Sequence, residues 1–105
     1  MKNLPPSEQK AELDRVIHQP TRTRILTFLM LSGECDYVSL RDALDLNDGL
    51  MSTHMRELLS KNYVSIKKEF VDRKPRTSYR LTREGRTRYC DYIEQLKALV
   101  KTVSN

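Results

Sequence analysis

Apolar residues recur at helical spacing in five stretches of this chain and alternate in two others. After the proline pair of "LPPSEQKAELDRVIHQ", Leu13, Val16 and Ile17 predict a first helix over about 7–18, with Ser7 as its cap. Pro20 suits the first turn of a second helix, "PTRTRILTFLMLSG". There Ile25, Leu26, Phe28, Leu29 and Leu31 are apolar nearly all round, and Gly33 supplies the stop. "DYV" predicts a minimal strand, and Ser39 a cap for a short helix that turns Leu40, Ala43 and Leu44 inward. Asn47 or Asp48 caps a further helix from about Gly49 to Lys61, with an inward stripe of Met51, Met55, Leu58 and Leu59.

Beyond Asn62 the period changes to two. "YVSIKKEFV" and "TSYRL" predict two strands joined by the turn "DRKPR", a hairpin with a basic tip. Thr82 then caps a long last helix in which Tyr89, Ile93, Leu96, Val100 and Val103 step by four and three. The order α-α-(β)-α-α-β-β-α is mostly helical with one small β-hairpin, and it is the order of a winged helix-turn-helix. We expect a single domain over 1–105, its core about 20–82, with the helices at about 7–18 and 83–103 free to pair two copies.

Length and composition narrow the function. A chain of 105 residues holds one core but not a core plus a deep enclosed catalytic site. With 38% hydrophobic and 31% charged residues it has the balance of a soluble protein, and no apolar run approaches the ~20 residues of a membrane span. "MKNLPPSEQK" lacks an apolar signal core, so a cytoplasmic location is expected. The net charge of +5 favours polyanions as partners. Much of the excess is concentrated in Lys67, Lys68, Arg73, Lys74, Arg76, Arg80, Arg83, Arg86 and Arg88. Cys35 and Cys90 are far apart and read as small hydrophobes or surface thiols. No Cys/His, Ser/His/Asp or paired-carboxylate arrangement points to an enzyme.

Three stretches carry a family resemblance. "QPTRTRIL" resembles the opening of the second helix in ArsR-type repressors, "LMSTHMRELLSKNYV" their recognition helix and following strand, and "DRKPRTSYRLTREGR" their wing and its exit. Together they span Gln19 to Arg88, and the chain is similar to winged-helix regulators of the ArsR and MarR kind, above all to their small stand-alone relatives. The resemblance implies a DNA-binding transcriptional regulator. It stops short of the metal site of the ArsR-type sensors. Aligned on Gly33, Glu34 and Leu40, the family's two cysteine positions fall on Asp36 and Val38, and Cys35 is out of register with no second thiolate near it. His18 and His54 have no paired spacing either, so neither metal nor cofactor is expected.

An α-helix fits the major groove, and Ser52, Thr53 and Arg56 share the surface opposite Met51, Met55 and Leu58. Arg56 suits a bidentate pair to guanine, and the two hydroxyls suit the backbone. Gly49 lets the helix end approach a phosphate closely. His54 reads as a packed or locally hydrogen-bonded side chain rather than a base reader. At the hairpin tip Arg73, Lys74 and Arg76 suit a wing on the backbone or minor groove, with Pro75 stiffening it and Asp72 orienting an arginine. Arg22 and Arg24 either touch phosphate or form ion pairs within the protein.

The stripe of Tyr89, Ile93, Leu96, Val100 and Val103, widened by Tyr92 and Leu99, is more apolar surface than a small domain readily covers. With Leu13, Val16 and Ile17 it is expected to form a homodimer, which would set two recognition helices about 34 Å apart on a (pseudo)palindromic operator. Tyr89 and Tyr92 would line any small effector pocket between the paired helices, and the sequence names no effector. A second reading is a winged-helix module that docks on another protein and does not read DNA.

Overall fold

The computed structural model describes residues 12–104. Four helices and three strands follow in the order α1 (Pro20–Ser32), β1 (Cys35–Asp36), α2 (Tyr37–Ala43), α3 (Asp48–Ser60), β2 (Val64–Val71), β3 (Lys74–Leu81) and α4 (Arg83–Ser104). The strands form an antiparallel sheet in the order β1-β3-β2. This is the winged-helix arrangement that the element order predicts. Its core is built from Ile17, the α1 residues Ile25, Leu26 and Leu29, Leu40 and Leu44 of the α2 region, and Met51, Met55 and Leu58 of α3. Tyr63, Val64, Tyr79, Leu81 and Tyr92 close it.

The helix expected at 7–18 lies outside the described residues up to position 11, and the described part is a turn at 15–17. Pro20 explains why. Helical continuation would require its N–H to donate to the Val16 carbonyl, and proline has none. The residue before it, Gln19, is held extended at φ −148°, ψ 127°. Arg22 Nε supplies the missing donor to Val16 O, and Thr23 Oγ1 donates to Ile17 O at 2.6 Å. Asp14 Oδ1 accepts from the N–H groups of Val16 and Ile17, which holds the turn together.

The Gly33 stop of α1 and the caps of α3 and α4 are the expected ones, and Gln19 is an N-cap that the sequence reading did not name. The Gln19 side chain receives Arg22 N, with Pro20 at the first position, and Gly33 at φ 81° ends α1 with its N–H on Leu29 O. Asn47 caps α3 by accepting Leu50 N at 2.8 Å, and Thr82 Oγ1 accepts Gly85 N at 2.9 Å. At α2 the cap moves. Asp36, not Ser39, accepts Ser39 N, and Ser39 donates its hydroxyl to the same carboxylate at 2.7 Å. A carboxylate reaching two donors at once outcompetes a single hydroxyl. The helix therefore starts at Tyr37, the strand is Cys35–Asp36, and Ala43 is exposed where the spacing had turned it inward. Leu31 is likewise 85% exposed, so α1 is not buried all round.

The exits of α2 and α3 share one device. Asp45 and Asn62 adopt left-handed φ of 53° and 60°. Leu46 N then returns to Arg41 O and Tyr63 N to Leu58 O, while Asp45 N and Asn62 N reach Asp42 O and Leu59 O. These paired bonds satisfy carbonyls that the helix ends leave open. The first sets the tight turn between α2 and α3, and the second aims the chain into the wing.

Candidate nucleic-acid interface

The amphipathic period of α3 buries Met51, Met55 and Leu58 completely or nearly so and leaves Gly49, Ser52, Thr53 and Arg56 exposed. Among the described residues no carboxylate lies within 4 Å of Arg56. Ser52, Met55, Arg56, Leu59 and Ser60 form one wall of an open groove, and Tyr37 and Tyr79 form the other. The outer side of α3 thus adjoins the hairpin.

The hairpin is tighter at its tip than its sequence suggests. Val71 pairs with Lys74, so the turn is only Asp72 and Arg73, and Lys74, Pro75 and Arg76 belong to β3 and not to the turn. Both turn residues have positive φ, 53° and 67°, as the two-residue hairpin matching strand twist demands. Of the left-handed non-glycine residues described, Asp45, Asn62 and Asp72 are the Asp/Asn type that tolerates this region, and Arg73 is not. Pro75 opposes Phe70 in the second pair from the turn, which exchanges no ladder bonds, so its missing N–H costs nothing.

The basic residues divide by their partners. Arg73 and Lys74 have no carboxylate within 4 Å among the described residues, and Asp72 pairs with no arginine. Arg76 Nη2 lies 3.4 Å from Asp36 Oδ1, a half-exposed pair worth little. Lys67 is held between Glu34 and Glu69 at 3.2 and 3.0 Å. Arg22 and Arg24 form no ion pair among the described residues. Arg22 reaches Val16 O and His54 Nδ1, and Arg24 Nη2 donates to Leu44 O at 3.0 Å, tying α1 to the turn before α3.

Two clusters around α3 escaped the sequence reading. Asp48, the first residue of α3, accepts hydrogen bonds from Tyr37 Oη at 2.8 Å and Arg41 Nη1 at 2.9 Å, and Arg41 lies over the Tyr37 ring. The Tyr37 hydroxyl, then Arg41, hold the Asp48 carboxyl below its usual range. The carboxylate at the helix start therefore stays ionised, with Arg41 as its partner across the turn. Only the positions of Arg41 and Asp48, on either side of the turn, hint at it. The second is the contact between Arg22 Nη1 and His54 Nδ1, 3.1 Å apart. A guanidinium only donates, so Nδ1 accepts and the ring is neutral. Burial first, then the Arg22 charge, lower the His54 pKa.

The sign of that shift yields a prediction. With its folded pKa below the unfolded value of about 6.5, His54 takes up a proton first in the unfolded chain. Its contribution to stability is constant above about pH 6.5 and falls as pH drops from there towards the lower folded value. Urea unfolding at pH 7.5 and pH 5.5 should show a larger acid loss for the wild type than for His54→Gln; equal losses would contradict the assignment.

Residues expected between two copies also divide. Ile17 and Tyr92 are buried within the protomer, and Tyr92 Oη bonds His18 Nδ1 at 2.8 Å, so they offer no surface to a second chain as the protomer stands. Leu13, Val16, Tyr89, Ile93 and Leu96 pack partly against the core, with Tyr89 Oη on Thr27 Oγ1 at 2.7 Å. Leu99, Val100 and Val103 are 53%, 60% and 88% exposed. Ile93, Leu96, Lys97, Val100 and Lys101 line a shallow apolar groove along α4. No helix among the described residues is long and apolar enough to cross a membrane.

A family model described as winged helix DNA-binding domain matches residues 21–100, from the start of α1 nearly to the end of α4. The chain belongs to this family. The winged helix domain is 26% identical over 89 residues to an uncharacterised protein of Methanocaldococcus jannaschii, an alignment covering 85% of this chain and 97% of the other. Among solved structures it resembles a transcriptional regulator homologue from Pyrococcus horikoshii, with a TM-score of 0.82, 25% identity, and 94% and 95% of the two chains covered. It also shares the fold of a MarR-family regulator from Silicibacter pomeroyi, at a TM-score of 0.61 and 19% identity over 88% of this chain and 61% of that one.

Proposed function

We propose that this winged helix domain is a transcriptional regulator that binds duplex DNA as a homodimer, with α3 in the major groove and the β2–β3 wing along the backbone or minor groove. The observation that carries this reading is Arg56. It stands exposed beside Ser52 and Thr53 on a helix whose other face is core, with no carboxylate among the described residues within 4 Å, on the side of the molecule that adjoins the wing. Arg73 supports it. An arginine kept in left-handed backbone, where glycine or asparagine costs less, is a local violation of the kind that functional sites retain. The relatives that are regulators point the same way. Leu96, Leu99, Val100 and Val103 on α4 are the surface we assign to pairing, with two copies holding their α3 helices about one helical turn of DNA apart.

Two substitutions test the assignment of roles. Arg56→Ala should cost about 1–3 kcal/mol on a preferred site, selected by sequencing genomic fragments retained by the protein, and should relax its sequence preference. Arg73→Gly should weaken binding to every duplex by a similar factor, since phosphate contacts carry little base information. The same change should stabilise the unbound protein by about 0.5–1 kcal/mol, because glycine removes the left-handed penalty. Anisotropy on preferred and scrambled duplexes, with urea unfolding, reads all of these. If both variants rescale affinity equally on every duplex, Arg56 does not read bases.

A further inference from the structure

The outer part of the hairpin carries an apolar surface that the domain's own core does not use. Along β2 and β3, Val64 and Leu81, Ile66 and Tyr79, Lys68 and Thr77, then Phe70 and Pro75 oppose one another on a single face. At the base this face is core, with Val64, Tyr79 and Leu81 buried; Ile66 is 42% exposed, and at the far end Phe70 is 78% exposed.

We propose that Phe70, backed by Pro75, is an apolar wedge that enters the minor groove and opens a base step when the wing docks on duplex DNA. The inference rests on the DNA-binding reading above. The face bearing Phe70 is the face bearing Tyr79, which shares a groove with Ser52 and Arg56, so the ring is on the side assigned to DNA. Its surroundings are those of a polyanion site: between Lys67 and Arg76 the chain has five basic residues and two acidic ones. An apolar protein partner would not call for that charge. The wedge is also stiff. Phe70 and Pro75 form the second pair from the two-residue turn, a non-bonded pair, in which side chains stand closest, and proline fixes its own backbone. Minor-groove proteins insert such phenylalanine and proline side chains between base steps and kink the duplex.

The test uses the full chain, its Phe70→Ala variant, and duplexes carrying 2-aminopurine at successive positions and a donor–acceptor dye pair at their ends. Phe70 is exposed, so the variant should melt like the wild type. The wild type should raise 2-aminopurine emission at a discrete step and shorten the end-to-end distance. Phe70→Ala should bind about tenfold more weakly and give neither signal, while Phe70→Leu should keep part of both. If the wild type binds duplex without either signal, or Phe70→Ala keeps both, the wedge is overturned and the DNA reading stands. A change in sedimenting mass with Phe70→Ala but unchanged DNA signals would assign the ring to a second copy and overturn it too. If the wild type binds no duplex, the wedge and the reading beneath it fail together.

Discussion

Gly85→Ala is expected to destabilise the domain by about 3 kcal/mol or more, one of the largest effects available to a single methyl group. Gly85 is buried in the first turn of α4, and a Cβ there would lie 1.9 Å from Tyr63 O, 2.7 Å from Tyr63 C and 2.9 Å from Tyr63 Cα. These are backbone atoms, so no side chain can swing aside. Nor can the backbone shift cheaply. Tyr63 O accepts Thr82 N at 3.1 Å, Asn62 O accepts Thr82 Oγ1 at 2.6 Å, and Tyr63 N is bonded to Leu58 O. The exit of α3 and the start of α4 are locked at this crossing, and moving one breaks the cap of the other. Gly49→Ala is the control. Its added Cβ would meet only the Asn47 side chain, at 3.4 Å, and alanine favours the helix by roughly 0.8–1 kcal/mol. Thermal unfolding should lower the midpoint of Gly85→Ala by on the order of 10–20 °C and leave Gly49→Ala level or higher. Equal midpoints would show that the close approach is not real.

The second large effect concerns assembly. Leu99→Glu with Val103→Glu should split the proposed dimer, because four carboxylates would be buried against apolar partners with nothing to pair them. Both residues are more than half exposed in the protomer, so its own melting should change little. DNA affinity should fall about 100-fold or more, since the second domain no longer binds at the effective concentration that a fixed spacing supplies. Sedimentation equilibrium at tens of micromolar should show a dimeric wild type and a monomeric variant. A wild type that is monomeric both free and on DNA would remove pairing from the account.

What could be read beforehand follows the range of the forces involved. Caps and periods are local, and so Gly33, Asn47, Thr82 and the Met51, Met55, Leu58 stripe were legible, as was the outward placement of Ser52, Thr53 and Arg56. Where two local signals compete, the stronger partner decides, as when Asp36 displaces Ser39 at the start of α2. The extent of the wing turn was hidden because Asp-Arg does not carry the glycine that marks such turns. The close approach of Gly85 to Tyr63 went unread, although an unexplained glycine inside a helical pattern is a signal of close approach. The pairing of Asp48 with Arg41 and Tyr37, the carbonyl contacts of Arg22 and Arg24, and the exposure of Phe70 are tertiary facts, and no period encodes them.

The central claim is that this surface binds duplex DNA, and its most direct test is fluorescence anisotropy of the wild type with labelled duplex across a salt series. Each neutralised phosphate contributes about −0.9 to the slope of log K against log salt, so a dimer contacting about six phosphates should give a slope near −5. Absence of binding to any duplex at low salt would contradict the account.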